Sequence, residues 1–98
     1  MKTNEQPASE VRLRSRRVQR ELDRLQEADY QRVASRLRAL ANEPRPKGCE
    51  KLYDDIYRVR VGNIRVIYLV EKGSKRIEVG GIHRRGERTY KGIEGLFR

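Results

Sequence analysis

The sequence contains no tryptophan and only one residue each of cysteine, histidine, methionine and phenylalanine. A single cysteine cannot form a disulfide within the chain, and one cysteine with one histidine is too small a set for a dedicated zinc site. No apolar run approaches the length of about 18–20 residues that a membrane-spanning helix needs. The N-terminal segment MKTNEQPASE also lacks the hydrophobic stretch of a secretory signal. We therefore expect a cytoplasmic protein that uses neither a metal nor another cofactor.

Positive charge is what the chain has in excess. Lysine and arginine number 24 against 14 acidic residues, which gives a net charge of +10 and a pI near 10.4. This balance suits a nucleic acid, a ribonucleoprotein, an anionic membrane surface or an acidic protein as partner. At 98 residues the chain can build one small core. We expect a disordered lead-in over residues 1–8 and a single domain over residues 9–98.

The first half of the sequence predicts a short strand followed by two helices. Residues 10–15 alternate apolar and charged side chains, as an edge strand does. Apolar residues then recur at helical spacing in two stripes that are separated near residues 26–29, where Asp29 is expected to cap the second helix. The charged faces of both helices are expected to be solvated. The stripes are Val18, Leu22 and Leu25, and then Tyr30, Val33, Leu37, Leu40 and Ala41.

The second half predicts strands. After a loop with two prolines, apolar residues recur at every second position, which favours strands at about 55–61, 64–71 and 75–84. Gly62-Asn63 and residues 73–74 are two-residue links of the kind that close tight hairpins.

Short links fix the pairing of the strands that they join. The first link places Arg60 opposite Arg65, and the glycines at 80 and 81 predict a bulge or bend in the last strand. The other expected pairs are Val61 with Ile64, Val59 with Val66, Tyr57 with Tyr68, Glu71 with Arg76, Val70 with Ile77 and Tyr68 with Val79.

These elements predict an α+β fold in which an N-terminal strand and a helical hairpin pack on one face of a curled antiparallel β-sheet. The other face is expected to be concave, open and basic, because it carries Arg58, Arg60 and Arg65. Like charges directly opposite each other cost stability, so an anion is expected to bind there. The expected core consists of Val18, Leu22, Leu25, Val33, Leu37, Leu40, Val59, Val61, Val66, Tyr68 and Val79.

Over about residues 9–91 the chain resembles the RelE branch of the RelE/ParE toxins of bacterial and archaeal toxin–antitoxin systems. The resemblance lies in the helical hairpin, the Pro44-Arg45-Pro46 loop, Lys51-Leu52, and the segments YRVRVGNIRVIY at 57–68 and IHRRGERTY at 82–90. It implies a RelE-like fold, cleavage of mRNA in the ribosomal A site, and restraint by a cognate antitoxin. It also implies that Arg58, Arg60, Arg65, Arg84 and Tyr90 match the catalytic basic and aromatic positions of the family.

These residue types suit RNA cleavage in which the substrate's own 2′-hydroxyl attacks the adjacent phosphorus. Guanidinium groups stabilise the charge that develops on the phosphoryl oxygens, and we assign that clamp to Arg60 and Arg65. Arg84 is expected near the leaving 5′-oxygen, and Tyr90 is expected to stack on a base or orient the nucleophile. The expected RNA-binding residues are Arg58, Arg85 and Arg88.

A general base is harder to assign. The family often has lysines where this chain has Arg58 and Arg60, and an arginine stays protonated. The reaction could use Tyr90, His83 or Glu87 as the base, the ribosome itself, or electrostatic activation without any base. Strict alternation places His83 on the core side of its strand.

Two other functions fit parts of the sequence. A ParE-like inhibitor of DNA gyrase would share the fold but would not need the three strand arginines and Tyr90. A non-enzymatic RNA-binding protein would account for the net charge, but less well for the concentration of arginines on one face.

Overall fold

The computed structural model describes residues 9–71, 73, 75–84 and 96–97, so the expected lead-in over residues 1–8 lies outside the described residues. Two helices pack on one five-stranded sheet, which confirms the α+β class. The elements are β1 (Glu10–Leu13), α1 (Arg16–Asp23), α2 (Glu27–Leu40), β2 (Glu50–Tyr53), β3 (Ile56–Val61), β4 (Ile64–Glu71) and β5 (Arg76–Arg84). No helix in this part of the chain is long and apolar enough to cross a membrane.

The sheet is mixed rather than purely antiparallel. Its strand order is β1-β5-β4-β3-β2, and β1 runs parallel to β5 while the other neighbours are antiparallel. The two helices carry the chain from β1 across to the rest of the sheet. Strand β2 was not predicted, because it lies at an edge with most of its side chains exposed and shows no clear alternation.

Every predicted cross-strand pair is confirmed. In the first hairpin the four expected pairs of β3 and β4 are present, including Arg60 with Arg65. Gly62 has φ 61° in the link, the left-handed conformation that tight hairpin turns require. In the second hairpin, Glu71 pairs with Arg76, Val70 with Ile77 and Tyr68 with Val79.

The helical stripes lie within α1 and α2 except for Leu25 and Ala41, which follow the ends of the two helices, and the start of the second helix differs. The N-cap of α2 is Gln26, and Asp29 lies inside the first helical turn, so the prediction that Asp29 caps the helix was wrong. Asp29 instead accepts a hydrogen bond from Arg32. A carboxylate in the first turn still interacts favourably with the helix dipole.

The predicted core residues are buried between the helices and the sheet, except that Leu25 is partly buried at its margin. The sequence prediction left out several strand residues that are also buried. They are Ile56, Tyr57, Ile64, Ile67, Val70, Ile77 and Ile82.

Two stacked tyrosines of the sheet form hydrogen bonds to the loop that follows α2. The rings of Tyr57 and Tyr68 lie 5.9 Å apart, and Arg45 Nε donates a hydrogen bond of 2.9 Å to Tyr57 Oη. Tyr68 Oη donates a 2.7 Å bond to the carbonyl oxygen of Pro44. Burial raises the pKa of the Tyr68 phenol, so this donor stays protonated.

Replacement of Tyr68 by phenylalanine is expected to lower the free energy of unfolding by about 1–3 kcal/mol, because the Pro44 carbonyl loses its buried donor. Urea unfolding at pH 7 measures the change. Tyr30→Phe, in a half-buried tyrosine of α2, is the matched control and is expected to have a smaller effect. Equal losses in the two variants would contradict a specific role of the Tyr68 hydroxyl.

The same substitution is expected to change the response to alkaline pH. The pKa of Tyr68 is higher in the folded than in the unfolded protein, so the phenol's contribution is complete below about pH 10 and declines above it. The stability difference between wild type and Tyr68→Phe should therefore shrink as the pH rises above about 10. Unfolding curves at a series of pH values check this, and a constant difference would contradict it.

A candidate nucleic-acid interface on the sheet

Arg60 and Arg65 face each other beside the turn that joins β3 to β4. The two residues are directly paired, and together with Gly62 and Asn63 they line a cavity of about 150 Å³. Arg60 is exposed and Arg65 is half-buried. Two guanidinium groups at one hairpin tip, with a small cavity between their positions, form an arrangement that suits a phosphate-sized anion.

A bulge in β5 determines which residues join this surface. Tyr68 pairs with Val79 but Ile67 pairs with Gly81, so one extra residue, Gly80, is inserted into β5. Every later side chain of the strand is shifted by one position. His83 pairs with Arg65 and therefore lies on the arginine face, not on the core side that strict alternation predicts.

The same shift moves Arg84 to the opposite face. Arg84 pairs with Ile64, whose side chain is buried in the core, and Arg84 Nη1 lies 3.9 Å from Asp29 Oδ2 in α2. The structure thus places His83, and not Arg84, in register with the paired arginines.

Arg58 lies on the arginine face but is already compensated. It pairs with Ile67 across the sheet, its side chain is only 13% exposed, and it forms an ion pair with Glu50 on the neighbouring β2. The other expected RNA-binding residues, Arg85 and Arg88, lie outside the described residues, as do Tyr90 and Glu87.

The sequence predicts an open arginine face, but in the structure part of this face is covered. Ile67 lies on this face and is fully buried. A side chain at Gly80 would lie 2.5 Å from the ring of Phe97, and one at Gly81 would lie 3.4 Å from Leu96. Residues 96–97 therefore cover the middle of the face at the bulge, and the open basic surface is confined to the hairpin tip.

Helix α1 supplies the remaining contacts of the site. Where β5 extends beyond its pairing with β1, two side chains of α1 form hydrogen bonds to its free edge. Arg17 donates a hydrogen bond of 2.8 Å to the Gly80 carbonyl oxygen, and Glu21 accepts one of 3.0 Å from the Ile82 N–H. We had expected the charged faces of the helices to be solvated, but these two residues are half-buried. The only signal in the sequence was their i, i+4 spacing beside the apolar stripe.

Glu21 also approaches the histidine. Its second oxygen accepts a 2.8 Å bond from Arg17 and lies 3.7 Å from His83 Nε2. Within the described residues, no group of three or more histidine, cysteine or acidic side chains is placed to bind a metal ion. The site combines arginines with one imidazole and the carboxylate of Glu21, and its arginines are the side chains that suit binding of a phosphate.

Comparison with known proteins shows the family to which the chain belongs. Residues 13–89 match the family described as the ParE toxin of the type II toxin–antitoxin system parDE. No curated protein sequence matches the chain.

Solved toxin structures are similar along nearly their whole length. Archaeal RelE in the RelE–RelB complex of Pyrococcus horikoshii OT3 is 29% identical with a TM-score of 0.70, and the match covers 82% of this chain and 98% of that one. A chain of the Mycobacterium tuberculosis RelBE2 complex is 18% identical with a TM-score of 0.68, and the match covers 86% of this chain and 98% of that one. Isolated Escherichia coli RelE is 17% identical with a TM-score of 0.70, and the match covers 91% of this chain and 96% of that one. The chain belongs to the ParE toxin family, within the RelE/ParE superfamily of type II toxin–antitoxin toxins.

Proposed function

We propose that this toxin is a ribosome-dependent endoribonuclease that cleaves mRNA in the A site and thereby inhibits translation. The observation that carries the proposal is the Arg60–Arg65 pair across the hairpin tip. Among the described residues Arg60 has no ion-pair partner, in contrast to Arg58 with Glu50. Placing two like charges opposite each other costs stability, and binding an anion offsets that cost.

The proposed reaction needs no metal, because the substrate carries its own nucleophile. The 2′-oxygen forms a bond to phosphorus while the bond from phosphorus to the 5′-oxygen breaks, leaving a 2′,3′-cyclic phosphate and a 5′-hydroxyl. Negative charge develops on the phosphoryl oxygens between these two events. Preorganised guanidinium groups at the hairpin tip stabilise that charge more than they stabilise the ground state, which is the condition for catalysis.

The other residues implied by the resemblance keep supporting roles in this proposal. Arg58, Arg85 and Arg88 bind the RNA backbone on either side of the cleaved phosphate. Tyr90 stacks on a splayed base. For Arg84 to reach the leaving oxygen, its guanidinium has to exchange its present contact with Asp29 for the substrate.

A cognate antitoxin is the second proposed partner. Two of the similar structures are complexes with an antitoxin. The net charge of +10 favours an acidic segment that covers part of the basic surface. Copurification from the native operon at mild salt should recover a second small protein, and its repeated absence would contradict this partner.

A second function is favoured by the description of the matching family, a ParE toxin. On this alternative the chain inhibits DNA gyrase and cleaves no RNA. Because one fold can carry both activities, the fold does not decide between them.

The two functions are separated by a short pulse of expression. We expect primer extension to show new breaks within translated codons of cellular mRNAs, and we expect purified toxin to leave supercoiling by DNA gyrase unchanged. Growth arrest without mRNA breaks, together with inhibited supercoiling, would replace the nuclease by the gyrase inhibitor.

Replacement of Arg65 by alanine is expected to slow mRNA cleavage by about 10- to 100-fold, since it removes one or two charge-assisted bonds of about 1.5–3 kcal/mol each from the transition state. Ribosome binding should fall less, because the other basic residues still contact RNA. Single-turnover cleavage and urea unfolding measure the two effects, and the free energy of unfolding should change by less than about 1 kcal/mol.

Arg12→Ala is the matched control, because Arg12 is exposed on the edge strand β1, which β5 separates from β4 and its Arg65. It should cleave like wild type. Wild-type cleavage by Arg65→Ala would contradict the clamp, and an unfolded Arg65→Ala would identify Arg65 as a structural residue.

A further inference from the structure

The only histidine of the chain lies where α1 meets the edge of β5. It is paired with Arg65, and its side chain is 16% exposed. A side chain at Gly81 would lie 2.7 Å from its Nε2 atom, so the ring lies directly over the backbone of that glycine. The bulge and the missing side chain together allow the imidazole to occupy this place on the arginine face.

The carboxylate of Glu21 is the group that faces this ring. Its Oε1 accepts the Ile82 N–H at 3.0 Å, and its Oε2 accepts Arg17 Nη1 at 2.8 Å. A carboxylate bonded at both oxygens has a fixed orientation, and Oε2 then lies 3.7 Å from His83 Nε2. The charged groups placed around the imidazole by the described elements are Glu21 and Arg17 of α1 and Arg65 of β4.

Nε2 is the atom that lacks a partner. It is buried, and in the described part of the chain it makes no hydrogen bond. A shift of less than about 1 Å would bring it within hydrogen-bond range of Glu21, and catalytic hydrogen bonds commonly shorten in this way when substrate binds. With the Nε2 proton directed at Glu21, the neutral ring keeps its acceptor lone pair on Nδ1.

We propose that Glu21 is a positioning residue that orients His83 beside Arg65, so that His83 accepts the proton of the attacking 2′-hydroxyl. The proposal rests on the nuclease function proposed above, and it supplies the general base that the arginines cannot provide. A carboxylate that fixes the orientation and tautomer of a histidine base is a known way of building such a pair.

The proposed step balances as follows. The 2′-hydroxyl proton moves to Nδ1 of His83 as the bond from the 2′-oxygen to phosphorus forms. The bond from phosphorus to the 5′-oxygen breaks, and the leaving oxygen takes a proton from water. The imidazolium is stabilised by Glu21 until it returns its proton to water.

The contact is tested first without any activity measurement. Because the chain has one histidine, ¹⁵N labelling of histidine gives unambiguous ring-nitrogen signals. In wild type we expect one tautomer, protonated at Nε2, and in Glu21→Gln we expect shifted signals and a mixture of tautomers. Glu27→Gln, which removes an exposed carboxylate of α2, should match wild type. Unchanged ring signals in Glu21→Gln would overturn the positioning role.

A double-mutant cycle then tests the catalytic role on ribosome-bound mRNA. We expect Glu21→Gln to lower kcat about 10-fold with little change in KM, and His83→Gln to lower it about 100-fold. In the His83→Gln background, Glu21→Gln should have no further effect. Effects of the two substitutions that multiply, or full activity of His83→Gln, would overturn the proposal.

The cycle also separates the two proposals. Wild-type toxin that fails to cleave mRNA refutes the nuclease function and with it the catalytic role of His83, whereas the ¹⁵N signals still decide whether Glu21 orients the ring. If Glu21→Gln fails to fold because Arg17 loses its carboxylate acceptor, Glu21→Asp replaces it. That shorter carboxylate should retain the fold and show intermediate activity, and wild-type ring signals and activity in Glu21→Asp would contradict the proposed geometry.

Discussion

The inserted residue at Gly80 is the constraint on which the arrangement of this site depends. A strand alternates its side chains strictly, so one extra residue exchanges the faces of everything that follows. Here it directs Ile82 into the core and His83 onto the arginine face, and it places Arg84 next to α2. It also creates a stretch of backbone without side chains, against which the Phe97 ring and the imidazole lie. Without the bulge, Ile82 would leave the core and His83 would lose its pairing with Arg65.

Charge compensation distinguishes the arginines of the sheet from one another. The side chain of Arg58 is mostly buried and forms an ion pair with Glu50, which links β3 to β2. Arg60, in contrast, has no ion-pair partner among the described residues, and it lies opposite Arg65 where the hairpin turns. Solvent around the exposed Arg60 screens the repulsion between the two guanidinium groups.

Membership in a toxin family does not by itself determine the chemistry. The family description names a ParE toxin, whereas the similar solved structures are RelE toxins. The fold is common to both, so the fold alone does not decide between the two activities. In this chain that face carries Arg60, Arg65 and His83 at neighbouring positions of β3, β4 and β5.

Features that depend on residues close together in the chain follow from the sequence. The two-residue link Gly62-Asn63 dictated the pairing of Arg60 with Arg65, and helical spacing identified the buried stripes, because both follow from local geometry. Only the tertiary structure decided the parallel pairing of β1 with β5, the face of His83 and the contact of Glu21 with Ile82. The glycines at 80 and 81 predict a bulge, but only the pairing of β5 with β4 shows which residue is inserted. Glu21 and His83 are brought together by the packing of α1 against a strand edge, and no local pattern encodes that contact.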